Sequence, residues 1–472
     1  VSTTSKGPRL DEAGSSNQKK LGRGSIVSLT VASFIPAAGM ATVPLIMLGA
    51  AGYGSWLAAA ISMIATIAIG MAIVVFARRF VASGSIYSYV GFVFGSWARY
   101  VVGGSLFIGY LVQLSSITLL MSVFGGSLLA SLGADWALGS WPQAIMCAAI
   151  LAAAAAVVYR GLDVSVRVAV TLAAISLPFM IVVVAGSAMS TGLEFESQFG
   201  LAGASLPGIF TGMAAGAAFL FGFESSAALA GETEDPKRNV PWAVLSAPLL
   251  LGALYVVTTL LSVPGLMQAS DAIAAGVSAP AALAANAGLP TWLGTATDAI
   301  LTIATLAGVI GFLNYGSRFA ATLAGDGFLA QSIGRTHRRF GTPAAAVFLL
   351  AGSALVFLVL LITVFSFSVL DVLTGLGILI VACWIFPYII VCVGAFVLLL
   401  RERALSIPMI AATVVGTATV GWVFLNNVLN PPPAPLNLVP YVFLGALVVA
   451  MAAFAAVRRN RQHADAPSAD SD

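Results

Sequence analysis

Runs of about 20 apolar residues, parted by short polar stretches, recur along the whole chain. They lie near 26–50, 55–77, 98–130, 141–159, 164–188, 208–230, 241–264, 292–324, 343–365, 371–400, 407–428 and 437–457. A helix rising 1.5 Å per residue needs about 20 residues to cross a hydrocarbon core about 30 Å thick, so the pattern predicts twelve transmembrane helices. The third, eighth and tenth runs are long enough to tilt or to project beyond the membrane. The first and sixth are interrupted. In the first, SLTVASFIPAAGMATVPLIMLG, Pro36 removes a backbone donor, Gly39 permits an irregular turn and Pro44 restarts a helix. In the sixth, Gly222 lets the backbone leave helical geometry, and Glu224 follows about halfway across.

An acid at that depth costs a few kcal/mol unless it faces protein, water or a partner, which makes Glu224 a functional candidate. The two breaks stand five runs apart. That spacing fits an inverted repeat, with a first half over 26–188, a second over 208–400 and an added pair of helices over 407–457. Paired interruptions of this kind point to a transporter's binding site. Pro and Gly also kink ordinary membrane helices, and Glu224 beside the second break is what favours function.

Composition agrees: 60% of the 472 residues are hydrophobic and 8% are charged, against about 25% charged in soluble domains. All 21 Lys and Arg residues fall on alternate loops, at the adjoining ends of the runs or in the two tails, while the opposite loops carry Asp135, Glu194, Glu196 and Asp271. By the positive-inside rule the span number is even and both termini, the tails 1–25 and 458–472, are cytoplasmic, as in a multi-pass protein of the cell's inner membrane. The net charge of +3 gives no reason to expect nucleic acid. Cys147, Cys383 and Cys392 lie in apolar runs and suggest neither a disulfide framework nor a metal site. His337 and His463 lie in a basic loop and a tail, and the acids are not clustered, so neither metal nor nucleophilic catalysis is supported and no cofactor is called for. An enzyme is thus disfavoured. In the loops, Glu232, Glu234 and Asp235 stand near Lys237, Arg238, Arg78 and Arg79. Gating ion pairs between loops, or a solvated loop, would both account for them.

Four stretches carry a resemblance. Glu224 to Pro241, ESSAALAGETEDPKRNVP, is similar to the sixth-span signature of the amino acid–polyamine–organocation superfamily, an acid and small residues followed by D/N-P-x-R-x-x-P. Arg78 to Gly95 resembles that family's loop after span 2, and Arg318 to Pro343 its loop after span 8. Ala37 to Pro44 resembles the span 1 motif G-S-G-x-x-x-x-P, with Ala37 in place of the first glycine. The resemblance covers nearly the whole chain. It implies an all-α membrane protein with the fold of the bacterial leucine transporter, ten core helices plus two peripheral ones, and secondary transport of a small amino acid by alternating access.

Helix ends at a mid-membrane break offer free N–H groups to an anion and free carbonyls to a cation, a pairing suited to a zwitterion. The resemblance assigns the substrate carboxylate to the amides of Ala38, Gly39 and Met40, and the amine to the carbonyls of Ile35, Ala218 and Phe221. It brings Phe312 in span 8, with Tyr110 and Gln113 in span 3, around the substrate side chain. Close approach of substrate would require Gly39 to stay small. With no second acid at the predicted centre, a neutral amino acid is favoured, while amines and polyamines stay open. Relatives with a proton-coupling lysine carry it where this chain has Ser176. Glu224 remains a candidate proton carrier or gating group, and Thr302 and Thr305 are weaker candidates for a sodium ion.

Overall fold

The computed structural model describes residues 20–274, 277–430 and 433–464, so most of both expected tails lies outside the described residues. In chain order the helices are α1 (Arg23–Ser33), α2 (Pro36–Ala51), α3 (Ser55–Ala77), α4 (Ile86–Phe94), α5 (Ser96–Ser131), α6 (Ser140–Tyr159), α7 (Leu162–Thr191), α8 (Phe195–Phe199) and α9 (Leu206–Ala217). After a 3-10 segment, Phe223–Glu232, come α10 (Pro236–Ser246), α11 (Gly252–Gln268), α12 (Ser270–Ala274), α13 (Ala279–Asn286), α14 (Thr291–Gly325), α15 (Ala344–Val359), α16 (Val369–Arg401), α17 (Ile407–Leu429) and α18 (Val439–Ala464).

Among the described residues, ten helical stretches are long and apolar enough to cross a membrane, which makes the chain an all-α, multi-pass membrane protein. The first stretch, Arg23–Ala77, takes in α1, α2 and α3 together, because the interruptions between them occupy only a few residues. Helix α9, only 12 residues long, is too short to cross alone. Its run continues as the 3-10 segment beyond Gly222. The long third, eighth and tenth runs become α5, α14 and α16, of 36, 35 and 33 residues. Between α10 and α11 the ladder widens into a π turn over Ala247–Leu251, where Pro248 withholds the N–H that a regular turn would use.

Helix α5 packs against both α14 and α16 at the centre. The most apolar stretch of α16 is 67% buried, whereas that of the C-terminal helix is 17% buried, so the latter is peripheral. Small residues allow the closest approaches: a Cβ on Gly311 would fall 2.0 Å from the Ser33 hydroxyl, and one on Gly308 2.5 Å from Ile35. Thus α14 lies directly against the end of α1.

The N-terminal stretch is pinned just before α1, where a tail extending to residue 25 is expected. The Leu21 amide donates to the Glu232 carbonyl at 2.8 Å, and the Glu234 amide to the Leu21 carbonyl at 2.9 Å. Arg23 lies over the Trp242 ring, 4.1 Å from its centroid. Ion pairs do link the loops, with partners other than those suggested by sequence proximity. Glu232 pairs with Arg318 of α14, and Arg79 with Glu402. The Arg79 hydrogen bonds hold the Glu402 carboxyl below its ordinary range. Arg318 is 6% exposed and also donates to the Asn314 side chain at 2.9 Å.

The Glu232–Arg318 pair generates a prediction. Glu232→Ala strands a buried guanidinium and should cost about 1–3 kcal/mol, read as a lower melting temperature of the purified protein. Adding Arg318→Met, which removes the stranded charge, should recover most of that loss. Equal melting of Glu232→Ala and the parent would contradict this.

Candidate functional site

The first break lies between α1 and α2. Phe34 and Ile35 leave the helix, Ile35 takes a left-handed backbone (φ 49°), and Pro36 occupies the first position of α2, where its missing N–H is not needed. The first backbone bond of the new helix runs from the Gly39 amide to the Ile35 carbonyl at 3.1 Å. The amides of Ala37 and Ala38 therefore precede the ladder, while those of Gly39 and Met40 lie within it. The Ile35 carbonyl already accepts one bond and keeps a second lone pair. The space beside Gly39 is taken up by a tyrosine, since a Cβ there would run into the hydroxyl and ring of Tyr255. A larger residue at this position would have to displace the Tyr255 ring. The Tyr255 hydroxyl is buried and has no hydrogen-bond partner among the described residues.

The second break follows α9. Amides of Phe219, Leu220, Phe221, Phe223 and Ser225 bond to the carbonyls of Gly216, Ala217, Leu220 and Gly222. These turn bonds pass over the carbonyls of Ala218 and Phe221. Gly222 has φ 89°, a conformation that strains any residue with a Cβ, and its amide turns out of the chain to donate to the Tyr388 hydroxyl at 2.8 Å.

Glu224 is 0% exposed. Its two oxygens accept from Trp384 Nε1 at 2.8 Å and from the Tyr388 hydroxyl at 2.6 Å, and Ser85 donates to its carbonyl at 3.3 Å. A carboxyl in such a place has to be hydrogen-bonded, and two side chains of α16 meet that need. Sequence reasoning missed both. The available signal was a Trp and a Tyr four residues apart, and so on one helix face, in the middle of a long apolar helix where their polar ends need partners.

Phe312 touches both breaks. Its ring meets that of Phe34 edge-on at 5.4 Å, and a Cβ on Gly222 would fall 3.3 Å from it. Tyr110 packs edge-on against Trp384 at 6.0 Å, which joins it to the same cluster. Gln113, one turn along α5, is buried, and among the described residues its Oε1 has no hydrogen-bond partner. Ser33 and Tyr315 join α1 to α14 through hydroxyls 3.0 Å apart. Thr302 and Thr305 donate to carbonyls of their own helix at 2.8 and 2.7 Å, and Ser176 does the same at 2.9 Å. Cys147, Cys383 and Cys392 are free and buried.

A family model described as Amino acid permease matches residues 21–454. The chain is similar to the branched-chain amino acid permease BcaP of Bacillus subtilis (strain 168), with 23% identity over 314 residues, 63% of this chain and 65% of that protein. It is also similar to the methylthioribose transporter of the same organism, with 26% identity over 282 residues, 55% of this chain and 57% of the relative. A BcaP of Lactococcus lactis subsp. cremoris (strain MG1363) is 24% identical over 290 residues, 58% of this chain and 61% of the relative. In each case the match spans less than two thirds of the relative's length.

Tyr388→Phe keeps the ring and removes the hydroxyl that serves Gly222 and Glu224 together. Each group left unpaired costs about 1–3 kcal/mol. A clear drop in melting temperature of the solubilised protein is expected, and a variant that melts with the parent would show that the hydroxyl does not hold the break.

Proposed function

The chain belongs to the amino acid permease family, and from that premise we propose that it is a secondary transporter that moves a small neutral amino acid across the cytoplasmic membrane by alternating access. The observation that supports the reading is the contact of Phe312 with both helix breaks, at Phe34 before α2 and at Gly222 after α9. Amides suit a carboxylate and carbonyls suit an ammonium group. In this reading Ala38 supplies an amide, with Gly39 and Met40 shaping the turn. Ile35, Ala218 and Phe221 supply carbonyls, and Phe312, Tyr110 and Gln113 surround the side chain.

The topology we assign has twelve spans. Helices α1 and α2 form one broken span, α9 and the 3-10 segment another, and α10 and α11 a third. Five spans make up each inverted half, 26–188 and 208–400, with α17 and α18 outside them. Both termini lie on the cytoplasmic side, where the basic loops are.

Both Glu224 oxygens are already engaged by Trp384 and Tyr388. That supports a neutral substrate over a diamine or polyamine, whose second cation would have to share a carboxyl that is fully buried and already held by two donors. The names of two relatives, branched-chain amino acid permeases, agree with a neutral amino acid. Glu224 is assigned the proton-linked step, since its hydrogen bonds join the break in one half to α16 and its protonation would weaken the bond from Trp384.

Uptake into proteoliposomes is the test, with labelled neutral and cationic amino acids and amines, with and without a pH gradient. Accumulation of a neutral amino acid is expected. Glu224→Gln should retain substrate binding but flatten the dependence of uptake on pH and on the gradient. Uptake confined to cations or amines would contradict the substrate assignment, and an unaltered gradient response in Glu224→Gln would remove it as the proton carrier.

A further inference from the structure

A groove of about 640 Å³ lies away from the breaks, on the outer surface between α6 and α15. One wall is the row Ala148, Ala152 and Ala156, spaced four apart and so on one helix face; Gly352 and Leu355 stand opposite. The exposed apolar side chains Ile145, Phe348 and Val356 flank it, as on a surface that faces hydrocarbon. From Ala148 to Arg160 the helix advances about 18 Å at 1.5 Å per residue. That is close to half of a hydrocarbon core about 30 Å thick, so the groove runs from one interface to near the midplane.

Its interfacial end is strongly basic. Tyr159 and Arg160 line the groove there, and the loop between α14 and α15 packs onto them, with the His337 and Phe340 rings 5.3 and 5.5 Å from that of Tyr159. This loop carries Arg335, Arg338 and Arg339, all exposed. Among the described residues the ion pairs engage Arg79, Arg99 and Arg318, so none of these three loop arginines, nor Arg160, has an acidic partner. Asp163 is the acid nearest in sequence and forms no such pair either.

We propose that this groove is a binding site for an anionic phospholipid of the leaflet on the basic side. An acyl chain lies along the alanine row, Tyr159 stands at headgroup depth, and Arg160 with the neighbouring loop arginines receives the phosphate. An aromatic ring and cations at one end of an apolar channel match a lipid with a charged head, where a plain hydrocarbon chain would need neither. The site is separate from the helix breaks and independent of what crosses there.

The test titrates the purified full-length chain with phosphatidylglycerol and, separately, with phosphatidylcholine, counting bound lipids by native mass spectrometry and following melting. The parent should hold phosphatidylglycerol at least fivefold more tightly than phosphatidylcholine and melt higher when it is bound. Arg160→Gln should abolish that preference, and Ala152→Trp, at an exposed position, should remove the tightest adduct of either lipid by filling the groove. Unchanged adducts and preference in both variants would overturn the proposal. So would a dimer that Ala152→Trp converts to monomer with lipid binding unaffected, because a second copy would then be the occupant.

Discussion

One hydroxyl holds the centre of this molecule together. Tyr388 accepts the amide that Gly222 turns out of its own chain, and donates to the carboxyl of Glu224 two residues later. A helix interrupted in hydrocarbon exposes polar backbone that lipid cannot satisfy, so such a break persists only where protein supplies the missing partners. Here the partner comes from α16, which also provides Trp384 for the second carboxyl oxygen. The break and the buried acid thus stabilise one another through the same two side chains. The left-handed glycine makes the geometry accessible, and the hydroxyl makes it favourable.

Helix α14 relates this break to the first one. It meets the end of α1 through Gly308, Gly311 and Tyr315, and it reaches Gly222 through Phe312. Toward the basic face the same helix carries Arg318, paired with Glu232 at the far end of the 3-10 segment. A shift of α14 relative to either broken helix would therefore strain aromatic packing at mid-depth and an ion pair nearer the surface. Leu21 adds a further tie, bonding the start of α1 to Glu232 and Glu234.

Much of this was legible from sequence, for physical reasons that differ by element. Helices of 36, 35 and 33 residues follow from apolar run length alone. Both breaks were visible because Pro36 and Gly222 act locally on the backbone, whereas Gly39 and Pro44, expected to loosen the turn and to restart the helix, both lie inside α2. What the breaks require from elsewhere was not visible. Trp384 and Tyr388 stand 160 and 164 residues from Glu224, and only folding brings them together. Gly39 was read as small for the sake of a ligand, while the nearest neighbour is Tyr255, whose approach no local pattern announces. The partner of Glu232 was likewise sought among nearby basic residues and is Arg318, 86 positions away. The engagement of the Gly39 amide by Ile35 depends on where the new helix takes its first turn, and that is settled by the left-handed residue before Pro36.

The most direct test of a shared site at the two breaks is a structure of the full-length chain with a transported amino acid bound. The account predicts its carboxylate within hydrogen-bond reach of the Ala38 amide, its amine near the carbonyls of Ala218 and Phe221, and its side chain against Phe312. Substrate bound elsewhere, with both breaks closed on themselves as before, would contradict the account.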